Sequence, residues 1–376
     1  MMSKQWLLML LGLSACILIL ALPVHAAQAP ASSAIPCEPP SGNTDRQRCQ
    51  PVAPGQVPTP RPMPSRTPIL ASGLGPASSV LPFTYAYVMT GSVALYASPA
   101  DVESGTAPSR TLDAGYVWVR LMGWTSYKWQ IWYLTQGGGY LPASRAAIYR
   151  PSAFKGIVVY SQPSLPFAWV LTSVKTSPQP GAKPDASSVA YKRYDLVTLY
   201  EERVVGRQTW YRVGDDQWVI QTVVAKVEWT PRPAGVDPGE KWISVSLFEQ
   251  TLAAYEGDRM VYATLLSSGL PLWPTAQGLH RIHTKYPLDG MSGREGQPDY
   301  YSLEDVPWIM YYFQDYALHG AYWHDSFGYR HSHGCINLAP LDARWLYEWT
   351  TPAVAPGAKS KRATKDEPGT WVWVHP

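Results

Sequence analysis

Proline placement is the strongest constraint on what this chain can fold into. Thirty-six of its 376 residues are proline, near twice the usual roughly 5%. A proline inside a helix removes a backbone hydrogen bond and clashes with the preceding turn. Long helices therefore cannot dominate, and a mainly β fold is expected. Thirteen prolines fall between Pro30 and Pro82, in a stretch with almost no apolar periodicity. Residues 27–83 read as an extended linker of polyproline character, a semi-rigid spacer. Most of the rest must fold, because 46% of the chain is hydrophobic and 12% aromatic, whereas disordered chains have few aromatics. The length fits two or three domains at roughly 150 residues each. A net charge of +3 lacks the basic excess of a nucleic-acid-binding protein, so no nucleic-acid partner is expected.

One charge, Lys4, precedes an apolar run from Trp6 to Leu22, and Ala26-Ala27 follow soon after. A basic start, an apolar stretch and a small-residue site make a secretory signal. Residues 1–26 are expected to be that signal, cleaved after Ala26, which makes the protein exported, in the cell wall or membrane-associated. An uncleaved membrane anchor ranks second, since the run is short for a span. A lipoprotein at Leu13-Ser14-Ala15-Cys16 ranks third, because its mature end would begin Cys-Ile-Leu-Ile-Leu. Cleavage leaves Cys37, Cys49 and Cys335. The first two lie close together in a Pro/Ser/Gly/Asn segment, and a disulfide between them is the plain reading for an exported chain. Cys335 is then the odd thiol, either unpaired by accident or kept reduced for its chemistry.

From Thr84 to Glu228 the pattern changes to short alternating runs that repeat. Gly115–Leu121 matches Arg193–Leu199, Trp132-Tyr133 matches Trp210-Tyr211, and Tyr140-Leu141 matches Trp218-Val219, all at the same offset. A shared offset across several aromatic and aliphatic positions marks an internal duplication. Each unit has short strands with turn residues between, the pattern of a small β-barrel. The two units, residues 84–152 and 153–233, resemble bacterial SH3-like domains. Trp118, Trp132, Trp210 and Trp218 are the only handle on a ligand role, and aromatics in a small barrel more often serve its core.

A third domain, residues 240–376, follows Pro231-Arg232-Pro233. Ile243, Val245 and Leu247 alternate with serines and predict a half-buried strand. Tyr255–Asp258 predicts a turn, Met260–Leu266 a second strand, Lys359–Glu367 a solvated charged loop, and Trp371–Val374 a closing strand. Pro340 can open a helix, and Leu341, Trp345 and Trp349 recur at helical spacing.

The chemistry concentrates here. Six of the eight histidines lie between His280 and His333, and Cys335 sits beside them in Arg330-His331-Ser332-His333-Gly334-Cys335-Ile336-Asn337. A thiolate is the attacking form of cysteine, so a nucleophilic site must lower the thiol pKa or supply a base. An imidazole can do both. A helix starting just after Cys335 would add a favourable dipole, and backbone N–H groups around Gly334 could form an oxyanion hole.

This pattern resembles the L,D-transpeptidase (YkuD-type) catalytic domain. The family carries a histidine followed by a small residue, then after a loop Ser/Thr-His-Gly-Cys, a hydrophobic residue and Arg or Asn. The matching positions are His319-Gly320 and Ser332-His333-Gly334-Cys335-Ile336-Asn337. Ile243-x-Val245-x-Leu247-x-x-Gln250-x-Leu252-x-x-Tyr255 resembles the family's first hairpin. Thr275-x-x-Gly278-x-x-Arg281-Ile282 resembles a second family motif, with Ala276 and His280 in place of proline and phenylalanine. The resemblance covers about residues 240 to 376. It implies a mostly β domain with one helix after the nucleophile, with Cys335 as nucleophile and His319 as its base or imidazolium partner, oriented by the Gly320 carbonyl. It makes His333 a second imidazole, Gly334 and Cys335 the oxyanion amides, and Ser332 and Asn337 loop supports. Trp323 and Met291-Ser292-Gly293 resemble pocket-wall and lid positions. His280, His283, His324 and His331 have no motif role and read as structural or surface residues. The implied partners are peptidoglycan stem peptides, a donor tetrapeptide and an amine acceptor, and the implied role is cell-wall biogenesis. No cofactor or metal is implied, and carbapenem-type β-lactams would be expected to acylate Cys335.

Three rival readings stand beside it. His331, His333 and Cys335 alternate, so on a strand they would share a face and, with His319, could bind zinc. A chain with two SH3-like modules and a dead third domain would be a non-enzymatic wall-binding protein. Cys335 could also be an inert buried thiol. Within the enzyme reading, an amine acceptor gives third-to-third cross-links, water gives L,D-carboxypeptidase activity and a free D-amino acid gives exchange.

Overall fold

The computed structural model describes residues 80, 81, 83–89 and 91–376. The expected signal segment, the Cys37–Cys49 pair and nearly all of the spacer lie outside the described residues. Of the spacer's described end, Leu81 is buried in the main core. Among the described residues strands dominate, and the one helix longer than a single turn is Pro340–Trp349.

The duplication is visible in the strand pairing. In the first unit Thr84–Val88 is flanked by Tyr116–Tyr127 and Ala146–Tyr149. In the second, Phe167–Val170 is flanked by Leu196–Thr198 and Val224–Val227. A one-turn 3-10 helix precedes the last strand of each, at Ala143–Arg145 and Gln221–Val223. The register repeats because the same alternating apolar positions face each unit's interior: Val119, Leu121 and Leu141 in one core, Val197, Leu199 and Val219 in the other. Trp118, Trp132, Trp210 and Trp218 are all buried.

The third domain is built on an antiparallel series, Lys241–Ser246, Thr251–Glu256 and Arg259–Ser267. Trp371–His375 closes it by pairing parallel to the first of these. On the other side the sheet continues through Ile336–Leu338, Tyr316–Gly320 and Tyr301–Phe313. The first strand departs from the expected half-buried pattern. Trp242, Ile243, Ser244 and Val245 are all buried. Alternate residues serve two cores, with Trp242 and Tyr255 in one and Ile243, Val245 and Leu252 in the other. The face expected to meet solvent is covered by the upstream units, whose Phe154, Phe167 and Trp169 join the same core as Trp242.

The helix also turns a different face inward. Its buried residues are Pro340, Asp342, Ala343, Leu346 and Tyr347, whereas Leu341, Trp345 and Trp349 are only half-buried. Tyr262 stacks on Trp345 at 4.0 Å, so the tryptophans cover the sheet's flank. Asp342 lies inside because three donors meet it: Tyr262 Oη–H at 2.7 Å, the Gly156 N–H at 2.8 Å and the Thr264 hydroxyl. At the far end Lys285, fully buried, donates to the Tyr347 and Thr350 carbonyls at 2.6 and 2.8 Å. Those are orphan acceptors of a helix C-terminus, which a cation suits. The Lys359–Glu367 segment is not a free excursion. Lys361–Arg362 pairs with Thr284-Lys285, and Lys361 meets Glu367 at 3.1 Å.

Candidate active site

His319 and Cys335 reach one place through strand register. Tyr316–Gly320 and Ile336–Leu338 run parallel, with His319 opposite Asn337. Cys335 lies just ahead of the second strand, two residues before that partner. Both side chains line a cavity of about 250 Å³. Trp323, Met291, Tyr301, Leu303 and Tyr116 form its apolar walls, and His331, Ser332, His333 and Asn337 complete the lining.

The loop before Cys335 is pinned at His331, Ser332 and Gly334. His331 and Ser332 donate their N–H groups to the Ser268 carbonyl. Ser332 Oγ donates to the Cys335 carbonyl at 2.5 Å and accepts the Gly334 N–H at 3.0 Å. Gly334 holds φ +125°, and a Cβ there would fall 2.7 Å from the Tyr316 ring. Thr275 Oγ accepts the Gly269 N–H and donates to the Gly334 carbonyl, both at 2.8 Å. Thr275 entered the sequence reading only as part of a fold motif, and the structure makes it a clamp on the cysteine loop.

The expected helix dipole is not aimed at the thiol. The strand Ile336–Leu338 separates Cys335 from a helix that begins at Pro340, and a dipole acts only within its terminal turn. Burial instead pushes the thiol up to about 11, opposed by the Ala317 N–H. Cys335 is only partly covered, so the open side of the pocket relieves some of that rise. The thiol donates to the Asp315 carbonyl at 3.8 Å. His319 is buried, and desolvation lowers it to about 4. Its Nδ1 has no hydrogen-bond partner of proper geometry, though the Gly320 carbonyl is close enough to favour the protonated ring slightly. The resting pair is therefore a neutral thiol and a neutral imidazole.

The other histidines divide by contact. His333 is exposed, stacked on Tyr301 at 5.1 Å and tilted against Trp273 at 4.3 Å. Burial lowers its pKa, with Asp299 opposing. His324, which has no role in the motif, is buried and joined to the site. The Ser326 N–H donates to its Nδ1 at 3.0 Å, which leaves the proton of the neutral ring on Nε2. Asn337 Nδ2 stands 2.9 Å from Nε2, two donors face to face, a conflict that only a turned amide with Oδ1 toward the ring resolves. Desolvation first, then His331 and His319, hold His324 well below the usual imidazole range. Its ring centroid lies 4.1 Å from that of His331.

The arrangement a zinc site needed is absent. His331, His333 and Cys335 share no strand face, because the segment is a turn with an isolated bridge at Ser332. Among the described residues no group of three or more His, Cys, Asp or Glu side chains is placed to hold a metal.

A pocket with one free thiol on its floor and a neutral imidazole beside it suits acyl transfer through cysteine. Residues 240–374 match the family model of the L,D-transpeptidase catalytic domain, YkuD. No curated protein matches the chain. Among solved structures, an Enterococcus faecium L,D-transpeptidase C442S mutant is 24% identical over 36% of this chain and 50% of its own, with a TM-score of 0.29. An L,D-transpeptidase from Mycobacterium smegmatis is 17% identical over 66% and 91%, at 0.31. L,D-transpeptidase 3 from Mycobacterium tuberculosis, in complex with a faropenem-derived adduct, is 18% identical over 50% and 76%, at 0.30. The chain spans about half the length of the first of these. Such whole-chain likenesses are remote, and the YkuD match concerns the third domain alone.

Proposed function

We propose that this protein is an exported peptidoglycan L,D-transpeptidase that forms third-to-third cross-links through a thioester on Cys335. The observation that carries the reading is the convergence of Cys335 and His319 on one pocket floor. His319 lies on a strand and Cys335 just ahead of the strand parallel to it, within the segment that matches the catalytic domain. The upstream units would be SH3-like modules, and the proline-rich segment a spacer between the membrane and the wall.

In the first step Cys335 Sγ attacks the carbonyl of the L-to-D bond after the third stem residue. The thiol proton passes to His319, and a carbon–sulfur bond forms. The tetrahedral intermediate collapses, the leaving D-alanine amine takes the proton back, and a thioester remains. In the second step the side-chain amine of another stem's diamino acid attacks the thioester carbonyl, the carbon–sulfur bond breaks, and the amine's proton passes through His319 to Cys335 Sγ, which leaves as the thiol. Moving a proton from a thiol near 11 to an imidazole near 4 is uphill by on the order of 9 kcal/mol. Proton transfer must therefore accompany carbon–sulfur bond formation. Gly334 N–H is held by Ser332 Oγ, so the oxyanion would rest on Cys335 N–H.

The test is mass spectrometry of residues 27–376 mixed with tetrapeptide muropeptides, beside Cys335→Ala. D-alanine release with cross-linked dimers, dependent on Cys335, is the expected outcome. Tripeptide without dimers would make the enzyme a carboxypeptidase. No Cys335-dependent product would leave the wall-binding reading.

A further inference from the structure

Tyr116 belongs to the first upstream unit, yet it lines the Cys335 pocket. It gets there by strand addition. The first residues of Tyr116–Tyr127 pair parallel with the strand Tyr301–Phe313, placing Tyr116 beside Tyr301 and Trp118 beside Leu303. The Tyr116 N–H donates to the Tyr300 carbonyl at 2.9 Å. Gly115 permits the approach, since a Cβ there would lie 2.6 Å from the Tyr300 carbonyl oxygen. Paired residues on neighbouring strands project to the same face, so Tyr116 and Tyr301 form one aromatic ledge over the pocket.

The unit cannot swing away from that position without breaking several contacts at once. Arg120 meets Asp305 at 2.9 Å, and Arg110 meets Glu304 at 3.2 Å. The Arg120 N–H donates to Glu304 Oε2 at 3.0 Å. Tyr85 stacks on Tyr322 with centroids 3.6 Å apart and donates its hydroxyl to the Asp305 carbonyl at 2.8 Å. Tyr116 Oη–H itself donates to the Trp323 carbonyl at 3.3 Å. With its hydroxyl tied back, Tyr116 offers the pocket its ring.

We propose that the first upstream unit is part of the substrate site, and that Tyr116 is a specificity residue packing its ring against the acyl-donor stem peptide. No Asp, Glu, Lys or Arg lines the pocket, so its walls offer a donor ring and apolar contact rather than an ion pair. The proposal rests on the transpeptidase reading for its substrate, but not for its wall.

The test uses the intact chain and its Tyr116→Ala, Tyr116→Leu and Tyr116→Phe variants. Alkylation of Cys335 is followed by peptide mass spectrometry with a small reagent, iodoacetamide, and a bulky one, N-phenylmaleimide. Removing a wall favours the bulky reagent, so the bulky-to-small rate ratio should rise about fivefold or more in Tyr116→Ala, less in Tyr116→Leu, and stay near the parent value in Tyr116→Phe. A loosened fold would speed iodoacetamide as well, so the raised ratio must come with an iodoacetamide rate and a melting temperature near the parent's. On tetrapeptide, Tyr116→Ala should lose about tenfold in kcat/KM, mainly through KM. An unchanged reagent ratio in both Tyr116→Ala and Tyr116→Leu overturns the proposal, whatever the turnover. A raised ratio in a parent protein that does not turn over tetrapeptide would keep the wall and sink the transpeptidase reading instead.

Discussion

If Cys335 rests as a thiol, its alkylation must be slow at neutral pH and must climb steeply with pH. At a pKa of about 11, about one molecule in 10,000 carries the thiolate at pH 7, against about 3% for an ordinary cysteine near 8.5. That is about a 300-fold deficit. A more basic thiolate is also a better nucleophile, by a Brønsted slope of about 0.4–0.5. Over 2.5 pK units this recovers roughly tenfold, leaving Cys335 some 30 times slower than a free cysteine. The assay is iodoacetamide alkylation from pH 6 to 9.5, read on the Cys335 peptide so that other cysteines do not enter. The rate should rise about tenfold per pH unit across the range, since the thiolate fraction does. His319→Ala should change it less than about threefold, because a neutral imidazole contributes little to thiolate stability. A rate that is flat above pH 6.5, or that collapses in His319→Ala, would establish a thiolate–imidazolium pair and refute the neutral resting state.

Other outcomes follow from the same contacts. Asp342→Ala should lower stability by about 3 kcal/mol in thermal unfolding, because three buried donors lose their acceptor. Asp342 titrates near 6 when folded and near 3.9 unfolded, so the folded state holds the extra proton between those values. Its contribution of about 3 kcal/mol is complete below about pH 4 and is lost as pH rises through 6, a slope that Asp342→Asn should lack. Thr275→Val, which strips the clamp from Gly269 and Gly334, should cost about 1–3 kcal/mol and slow Cys335 acylation. Lys285→Met should destabilise by a similar amount, leaving the buried Tyr347 and Thr350 carbonyls without their donor.

Much of the site was legible because its chemistry sits in short motifs. Cys335, Ser332 and Gly334 are local in sequence, and their mutual hydrogen bonds span only two or three residues. His324 was not legible. Its meaning lies in Asn337, thirteen residues away on a strand that His324's loop packs against, and no spacing rule marks that pair. The helix Pro340–Trp349 shows the same limit inside one element. Its existence follows from Pro340 and apolar recurrence, but the recurring Leu341, Trp345 and Trp349 are not the residues it buries. Tyr262, Thr264 and the Gly156 N–H supply enough donors to bury Asp342 instead.

By itself, the sequence determined the β class, the duplicated units and the residues able to carry cysteine chemistry. Each of these is written in local terms: proline excludes long helices, alternation selects strands, and a repeat copies a pairing pattern. The tertiary structure alone decided which faces are covered, which protonation states rest in the pocket and which distant residue completes its wall. Burial and desolvation are sums over neighbours brought from far along the chain. Tyr116 reaches Cys335 only because one unit's strand adds to another's edge, and His319 is neutral only because packed strands exclude water from its ring.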